Sequence, residues 1–242
     1  RVLAPHDSKL PRYIFGGVKK LNNISAVLHL LGKKRRRTLL SLDITKFFEQ
    51  VSEDRVRIFF LDKCQCDYKT AKMLASICCV GEGPKKGDCA EKTLARGFST
   101  SSRLAIWCNL DIFIKLHRLV EKRLKGYDPR LAIYVDDIGI TASRVDEKTI
   151  KKLKHEIANL LMTTDEYQQL PLNETKTHII QHQNGMQHLG LKMFKNRLDI
   201  GKKTQSNLAH KKGLGSSKKH IVKAIKRYRA FVRSAKQKID EK

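Results

Sequence analysis

The feature that most restricts the fold is a short apolar stretch interrupted by two adjacent acids. Residues 131–143 contain two apolar runs separated by Asp136 and Asp137. This pattern predicts an antiparallel hairpin with both acids at its tip. Residues 38–44 form another mostly apolar run, which predicts a buried strand with a carboxylate, Asp43, near its end. Such a chain must build a sheet whose strand ends carry acids.

Segments with helical spacing of apolar residues lie before, between and after these strands. The pattern predicts helices at about 21–31, from Val56 to Phe60, at 67–80, from Leu104 to Val120 and from Ile150 to Leu160, short strands at Thr177–Ile180 and His188–Leu191, and a loop from Gly81 to Gly97. The order strand, helices, hairpin, helix and strand indicates an α+β fold in which helices cover one face of a sheet.

The balance of charge restricts the partners. The 242 residues include 50 Lys and Arg against 24 Asp and Glu, which gives a net charge of +26. Self-repulsion on this scale is tolerated mainly when a polyanion neutralises it, so we expect nucleic acid first and an anionic membrane second. Residues 202–242 hold 14 Lys and Arg against two acids. A linker at 201–217 followed by a basic amphipathic helix is predicted there.

Targeting signals and cysteines indicate the cellular compartment. No apolar run is long enough to span a bilayer, and no leader pattern precedes the fold, so we expect a soluble cytoplasmic protein without a membrane partner. The chain begins at Arg1 inside a segment with the pattern of a strand, and we expect further residues upstream. Its six cysteines show no repeated C-x-x-C zinc spacing, which favours reduced thiols over a metal site.

Carboxylates at strand ends stand out in so basic a chain. Asp43, Asp136 and Asp137 would crowd like charges, which is costly unless a divalent cation neutralises them. Two Mg²⁺ ions held there, or Mn²⁺ in their place, would activate a 3′-hydroxyl and stabilise a leaving pyrophosphate. Each acid also has an ordinary structural interpretation, a helix N-cap for Asp43 and a turn for Asp136 and Asp137.

Ordered motifs add a family resemblance. Residues 42–48 (LDITKFF), 96–102 (RGFSTSS) and 134–137 (YVDD) resemble motifs A, B and C of reverse transcriptases. Residues 173–177 resemble motif D and residues 189–191 fall where motif E would, so the resemblance covers nearly the whole chain. Together the order and spacing most resemble the bacterial retron-type group, which includes retron and phage-defence enzymes.

The resemblance implies a right-hand polymerase fold. Partial fingers would cover 1–36, a palm of ferredoxin-like topology 37–200 with a fingers-like helical insertion at about 53–96, and a linker with a basic helical thumb 201–242. The implied activity is that of an RNA-directed DNA polymerase, which adds deoxynucleotides to a 3′ end by two-metal nucleotidyl transfer, in bacterial phage defence.

The implied partners are an RNA template, a DNA product, deoxynucleoside triphosphates and, as a further candidate, a cognate noncoding RNA. Two alternatives remain open. The first is a nucleic-acid-binding protein with a vestigial polymerase site. The second is a template-independent nucleotidyltransferase on the same fold.

The resemblance also assigns catalytic residues. Asp43, Asp136 and Asp137 would hold the metal ions, with the main-chain carbonyl of Ile44 as a further ligand. Lys176 would protonate the departing pyrophosphate, and a solvated lysine is the alternative interpretation.

Four residues are implied in nucleotide binding. Phe48 would lie under the sugar and clash with a ribose 2′-hydroxyl, with core packing as the alternative. Gly97 and Phe98 would let the backbone approach the nucleotide, or form a plain turn into a helix. Arg1 would contact the triphosphate. The family usually has Gln where Arg96 stands, and this and other departures favour a related defence-type or unclassified bacterial enzyme over a retron proper.

Two basic segments are implied in nucleic-acid binding. The first is the cluster Lys33, Lys34, Arg35, Arg36 and Arg37. It would grip template or structured RNA phosphates, form a solvated turn, or act as a nuclear address. The second is the tail helix with Lys223, Arg227 and Arg233, which resembles a thumb lying along the primer and template duplex. A solvated helix face is its alternative interpretation.

Overall fold

The computed structural model describes residues 3–32, 36–81, 91–163, 169–181, 185–194, 198–201, 204, 206, 223 and 225–234. After a 3₁₀ helix at Ala4–Lys9, the helices of this part of the chain are α1 (Asn23–Leu31), α2 (Glu53–Asp62), α3 (Tyr68–Cys78), α4 (Ser101–Cys108), α5 (Leu110–Arg123) and α6 (Glu147–Thr163). The strands are β1 (Arg37–Asp43), β2 (Cys79–Gly81), β3 (Lys92–Leu94), β4 (Arg130–Tyr134), β5 (Asp137–Ser143), β6 (His178–Gln181), β7 (Met186–His188), β8 (Leu191–Met193) and β9 (Leu198–Ile200). Residues 225–234 are also helical.

The central sheet has the strand order β4-β5-β1-β6, and every neighbouring pair is antiparallel. The predicted hairpin is present as β4 and β5, joined by the two-residue turn Val135–Asp136. The predicted buried strand is β1, which lies between β5 and β6. These elements, with the helices around them, confirm the α+β class.

Both faces of this sheet are covered. Side chains alternate along β1, so Leu40 and Leu42 enter a large core with α5 and α6, whereas Leu39 faces a second core. The second core contains α1, the three-stranded sheet β7-β8-β9 and residues of the C-terminal helical segment, including Val232. The expectation that helices cover only one face was therefore wrong, since α1 and a second sheet cover the other.

Three local predictions also need correction. The expected single helix from Leu104 to Val120 is two helices that meet at Asn109, whose buried side-chain amide donates to the Ala105 carbonyl at 2.8 Å. The expected strand at 188–191 is instead a hairpin connection, in which His188 ends β7, Leu191 begins β8 and residues 189–190 form the turn. The segment near the start of the chain, expected as a strand, is a 3₁₀ helix over residues 4–9 with Pro in its first turn.

The C-terminal prediction is confirmed in part. Residues 225–234 are helical, and Ile225, Tyr228 and Val232 of the predicted apolar seam pack against the second core. Most of the predicted linker lies outside the described residues, and the two described positions in it beyond Gly201, Thr204 and Ser206, are helical. The division into fingers, palm and thumb stays a prediction.

An N-terminal segment, residues 13–17, covers the edge of the central sheet at β4. Ile14 forms a parallel bridge to Ile133 on β4, the Ile133 amide donates to the Tyr13 carbonyl at 2.8 Å, and the Phe15 amide donates to the Ile133 carbonyl at 2.8 Å. This pairing satisfies backbone groups that an edge strand would otherwise expose. It also brings the segment beside the tip of the β4-β5 hairpin.

In the described ranges, no helix combines the length and the apolar character needed to cross a bilayer. The five described cysteines are free thiols, and Cys89 lies outside the described residues.

Candidate active site

The structure brings the three predicted acids to one end of the central sheet. Asp43 is the last residue of β1 and Asp137 is the first of β5, and the two are directly opposite in the antiparallel register. Asp136 precedes Asp137 in the hairpin turn, where its carbonyl accepts from the Ile44 amide at 3.0 Å. Directly opposed residues place their Cβ atoms about 4.5–5.5 Å apart, so the carboxylates crowd one another.

The alternative interpretation of Asp43 as a helix N-cap is wrong. The helix that follows it, α2, begins only after Ser52, whose side chain accepts from the Arg55 amide at 3.2 Å. The turn interpretation describes the backbone of Asp136 correctly, but Asp137 is the first residue of β5.

The hairpin tip holds a strained backbone. Val135 has a φ of 62°, a region that a β-branched residue rarely adopts. Gly16 lies against it so closely that an added Cβ would lie 2.7 Å from Val135 Cγ2 and 2.9 Å from the Tyr134 carbonyl carbon. Strain of this kind persists only where the surrounding structure imposes it, and it accumulates at functional sites. The N-terminal segment therefore fixes the turn that carries Asp136.

Burial and mutual repulsion dominate the electrostatics of the acids. Burial, and then the charges of Asp136 and Asp43, raise the pKa of Asp137 to about 7. The pKa of Asp136 is also raised, first by burial and then by Asp43, while Lys176 and Arg96 act in the opposite direction. Carboxylates with raised pKa values are poised to gain from a nearby positive charge.

The donor chemistry of this cluster fits a hard divalent cation, since carboxylate and carbonyl oxygens are the ligands that Mg²⁺ takes in proteins. Asp43 already has a cationic neighbour in Lys176. Across the described ranges, no three His, Cys, Asp or Glu side chains are already gathered around one point as a set of metal ligands. The fit to a cation thus rests on the chemistry of the donors.

Lys176 reaches this cluster from the segment before β6. Its Nζ lies 2.9 Å from Asp43 Oδ1, and this contact raises the pKa of the ammonium. The segment is tied to the end of β1 by two backbone hydrogen bonds, Asn173 N to Asp43 O at 2.8 Å and Thr45 N to Pro171 O at 2.8 Å. The side chain is also largely exposed. Lys176 is therefore both solvated and in contact with the acidic cluster, so the two interpretations are compatible.

The two aromatic residues after Asp43 have different environments. Phe47 is buried in the large core against Phe113, with ring centroids 6.3 Å apart, so core packing explains it fully. Phe48 is only half-buried and lies edge-on to Phe47 at 5.8 Å. Its ring is therefore left partly open, and its role in nucleotide binding stays a prediction.

The turn before α4 carries the other two predicted nucleotide-binding residues. Gly97 has a φ of 96°, which favours glycine, and a Cβ added there would meet no atom within 4 Å. The backbone at Gly97 is thus open to approach by a ligand. Phe98 is exposed. Arg1 lies outside the described residues.

The prediction that Arg37 binds nucleic acid was wrong. Arg37 is 2% exposed, and its guanidinium is enclosed by Asp128 and Thr141. Nη1 lies 2.7 Å from Asp128 Oδ2, and Nε donates to Thr141 Oγ1 at 3.0 Å. The side chain of Arg37, the first residue of β1, therefore lies inside the protein and not in solvent. Arg36 is exposed at the opposite end of β1 from Asp43, and residues 33–35 lie outside the described ranges.

The predicted basic residues of the tail helix divide into two kinds. Lys223 and Arg227 are exposed. Arg233 instead pairs with Asp199 on β9, with Nη2 and Oδ2 2.7 Å apart. The first two are therefore available to a phosphate backbone, whereas Arg233 also joins the helix to the second sheet.

Two features of the site were missed from the sequence. The ion pair between Arg96 and Glu49 joins residues 47 positions apart, and no local pattern could have indicated it. The contact of Gly16 with the hairpin tip had a weak signal, since adjacent glycines such as Gly16 and Gly17 mark places where backbones turn or approach closely.

No protein-family model and no curated protein matches the sequence. Solved structures do match it. Telomerase from Candida albicans in complex with a TWJ fragment of telomeric RNA is 12% identical with a TM-score of 0.55, over 86% of this chain and 42% of that chain. Apo telomerase from Candida tropicalis is 14% identical with a TM-score of 0.52, over 78% of this chain and 37% of that chain. The BmCPV RNA-dependent RNA polymerase in its quiescent state is 14% identical with a TM-score of 0.50, over 82% and 19%.

The fold is polymerase-like. The chain spans less than half the length of each of these three structures. At such low identity the likeness concerns the fold alone, and membership of the retron-type group stays a prediction. The part of the expectation that is confirmed is an α+β chain with polymerases among its structural neighbours.

Proposed function

We propose that this chain is a nucleotidyltransferase of the polymerase type, and specifically an RNA-directed DNA polymerase. The observation that carries the proposal is the cluster of Asp43, Asp136 and Asp137 at one end of the sheet in a polymerase-like fold. Like charges crowded at a partly buried strand end are costly, and carboxylates perturbed in this way cluster at functional sites.

Asp43, Asp136 and Asp137, with the carbonyl of Ile44, would hold two Mg²⁺ ions, and Mn²⁺ would also suit these donors. Bound there, such ions would favour ionisation of a primer 3′-hydroxyl and stabilise the charge on a leaving pyrophosphate. The protein's own contribution is mostly positioning and charge. The turn at Val135, against which Gly16 packs closely, would keep Asp136 and Asp137 in place for this purpose.

Lys176 would act as the proton donor to the pyrophosphate. Asp43 raises the pKa of its ammonium, so the proton is held while the two are paired. If another cation paired with Asp43, the ammonium of Lys176 would be free to move toward the leaving group. The side chain is exposed enough to move between the two positions.

Support for RNA as the template and deoxynucleotides as substrate comes from the order of the motifs and from Phe48, the half-open ring five residues after Asp43. RNA is named in one telomerase structure with the same fold. Assignment to the bacterial retron-type group, and with it a role in phage defence, rests on the sequence motifs alone.

Primer extension on an RNA template tests the proposal. The wild-type chain should extend a DNA primer with deoxynucleotides only when Mg²⁺ or Mn²⁺ is present. Asp136→Asn removes a metal ligand and no phosphate contact, so synthesis should fall about a hundredfold or more while nucleic-acid affinity stays nearly unchanged. Asp111→Asn, an exposed acid on α5, is the matched control and should leave synthesis intact. Full synthesis by Asp136→Asn would refute the site.

A second candidate function is nucleic-acid binding by a site that no longer catalyses. The pairing of Lys176 with Asp43 favours it, because the ammonium already neutralises one of the acids. The same experiment separates the two functions. Salt-sensitive binding without any extension, on DNA and RNA templates alike, would support the binding protein, and extension without a template would support a template-independent transferase.

A further inference from the structure

Arg96 contacts Phe48, which is expected to face the sugar, and Glu49, the next residue in the sequence. Its Nη2 lies 3.0 Å from Glu49 Oε1 and 3.1 Å from Oε2, and its Cζ lies 5.7 Å from the centroid of the Phe48 ring. The guanidinium therefore bridges the turn at 45–50 and the turn that leads to Gly97. Its charge also opposes the rise in the pKa of Asp136 that burial causes.

These contacts restrict the Phe48 ring from two directions. Phe47 meets it edge-on at 5.8 Å, and Phe47 is itself fixed in the core. The guanidinium lies over the ring in the arrangement of a cation–π pair. Glu49 holds the guanidinium in place, and its carboxylate is the less exposed partner, at 24% against 64% for Arg96. Without Arg96, the ring would keep its contacts with Phe47 and the large core but would lose the group that lies over its face.

We propose that the Arg96–Glu49 pair positions the Phe48 ring and so sets how strictly the site rejects ribonucleotides, an inference that rests on the proposed polymerase function. A ring excludes a 2′-hydroxyl only while it stays where that hydroxyl would lie, because a side chain free to turn aside yields at little cost. Arg96 is thus a positioning residue that acts through Phe48.

The contrasting role for Arg96 is direct contact with a nucleotide phosphate. Its engagement by both oxygens of Glu49 argues against this role, because the pair is close to neutral and the guanidinium would have to leave two partners. The two roles differ in what they change. A positioning role alters the ratio of deoxynucleotide to ribonucleotide use, whereas a phosphate contact alters the use of both nucleotides alike.

The test compares kcat/KM for dGTP and GTP on an RNA template with a DNA primer. Arg96→Met keeps the length of the side chain and removes its charge, and it should lower the preference for dGTP about threefold, the scale of an exposed cation–π contact. The change should come mostly from better use of GTP. Glu49→Gln, which keeps a weaker partner for Arg96, should shift the ratio the same way by less. In a Phe48→Ala background, Arg96→Met should change nothing further.

The chain supplies a matched control. Arg57 lies over the Tyr68 ring at 5.5 Å and pairs with Asp54 at 2.9 Å, the same arrangement between α2 and the start of α3. Arg57→Met should leave the dGTP to GTP ratio unchanged. A ratio unaltered by Arg96→Met, or an equal loss for both nucleotides that persists in Phe48→Ala, would overturn the inference. A wild-type chain that uses neither nucleotide would instead refute the proposed function.

Discussion

His188 is a titratable side chain enclosed between the two sheets. It is 3% exposed, and its Nδ1 lies 3.0 Å from Ser41 Oγ on β1, two residues before Asp43. Among the described residues, its Nε2 has no hydrogen-bond partner, and Gly139 provides the space for it, since a Cβ there would lie 2.7 Å from that nitrogen. Burial lowers the pKa of His188 to about 4. The neutral ring is thus part of the packing between β7 and the central sheet.

This burial predicts a dependence of stability on pH. Below the unfolded pKa of 6.5 the unfolded chain binds a proton at His188 that the folded chain refuses until about pH 4. The free energy of unfolding should therefore fall by about 3 kcal/mol between pH 6.5 and 4 on account of this residue. His188→Gln keeps a hydrogen-bonding group near Ser41 and does not titrate. Urea unfolding of both proteins across this range should show a flatter pH profile for the variant.

The other titrating groups are common to both proteins, so the difference between the two profiles isolates His188. His29, whose pKa is also lowered, first by burial and then by nearby arginines, contributes equally to each. Parallel profiles would mean that His188 is protonated in the folded chain, in conflict with its burial.

Single residues were predictable where local pattern determines their place. Asp43 and Asp136 follow from apolar runs of strand length beside them. Arg37 does not, because it continues a basic run and only the start of β1 distinguishes it from Arg36. Its partners Asp128 and Thr141 lie 91 and 104 positions away, so their contact is created by sheet pairing that no local window contains.

The N-terminal segment at 13–17 acts as a unit that fixes the hairpin. Gly16→Ala would force a Cβ against the backbone of Val135 and Tyr134, where no flexible side chain can move aside. We expect a loss of about 2–3 kcal/mol in the free energy of unfolding, typical of overpacking. Primer extension should fall further than this loss explains, because displacement of the turn moves Asp136 away from Asp43.

The matched control is Gly126→Ala. Gly126 has a φ of 87°, but a Cβ there would meet no atom within 4 Å, so the variant carries only the backbone cost of about 1–2 kcal/mol. Chemical denaturation and extension rates measured at a temperature where both variants are folded separate the effects. Equal activity in the two variants would show that the hairpin tip does not depend on the segment.

Elements were predicted well where their periodicity is unbroken and less well at interruptions. The apolar spacing continues through Asn109, so the sequence offered no reason to end α4 there, yet the side chain of Asn109 turns back to bond the Ala105 carbonyl. At the β7-β8 turn, Leu189 and Gly190 both have positive φ, at 50° and 76°. A left-handed leucine gives no sequence signal, so the pattern at 188–191 predicts a strand where the chain turns.

For the whole molecule, the order of strands and helices predicted the α+β class. The acids were predicted to meet because antiparallel pairing brings the end of one strand to the start of the next. The second core was not predictable in the same way. It depends on β9 and on the helix at 225–234 reaching the face of Leu39, contacts between parts of the chain that are far apart in sequence.

The net charge of +26 predicts tight and salt-sensitive binding to nucleic acid. Lys223 and Arg227 are exposed on the tail helix, whereas Arg233 is paired with Asp199. Replacing Lys223 and Arg227 by Gln should reduce the slope of log affinity against log salt concentration by about two for a duplex, because each phosphate contact contributes about 0.9. Arg233→Gln is the matched control and should change the slope by less than half as much per residue. Filter binding of a primer–template duplex from about 50 to 200 mM salt measures these slopes. A slope unchanged by the double variant would exclude the tail helix from the interface and move the phosphate contacts to other basic surfaces.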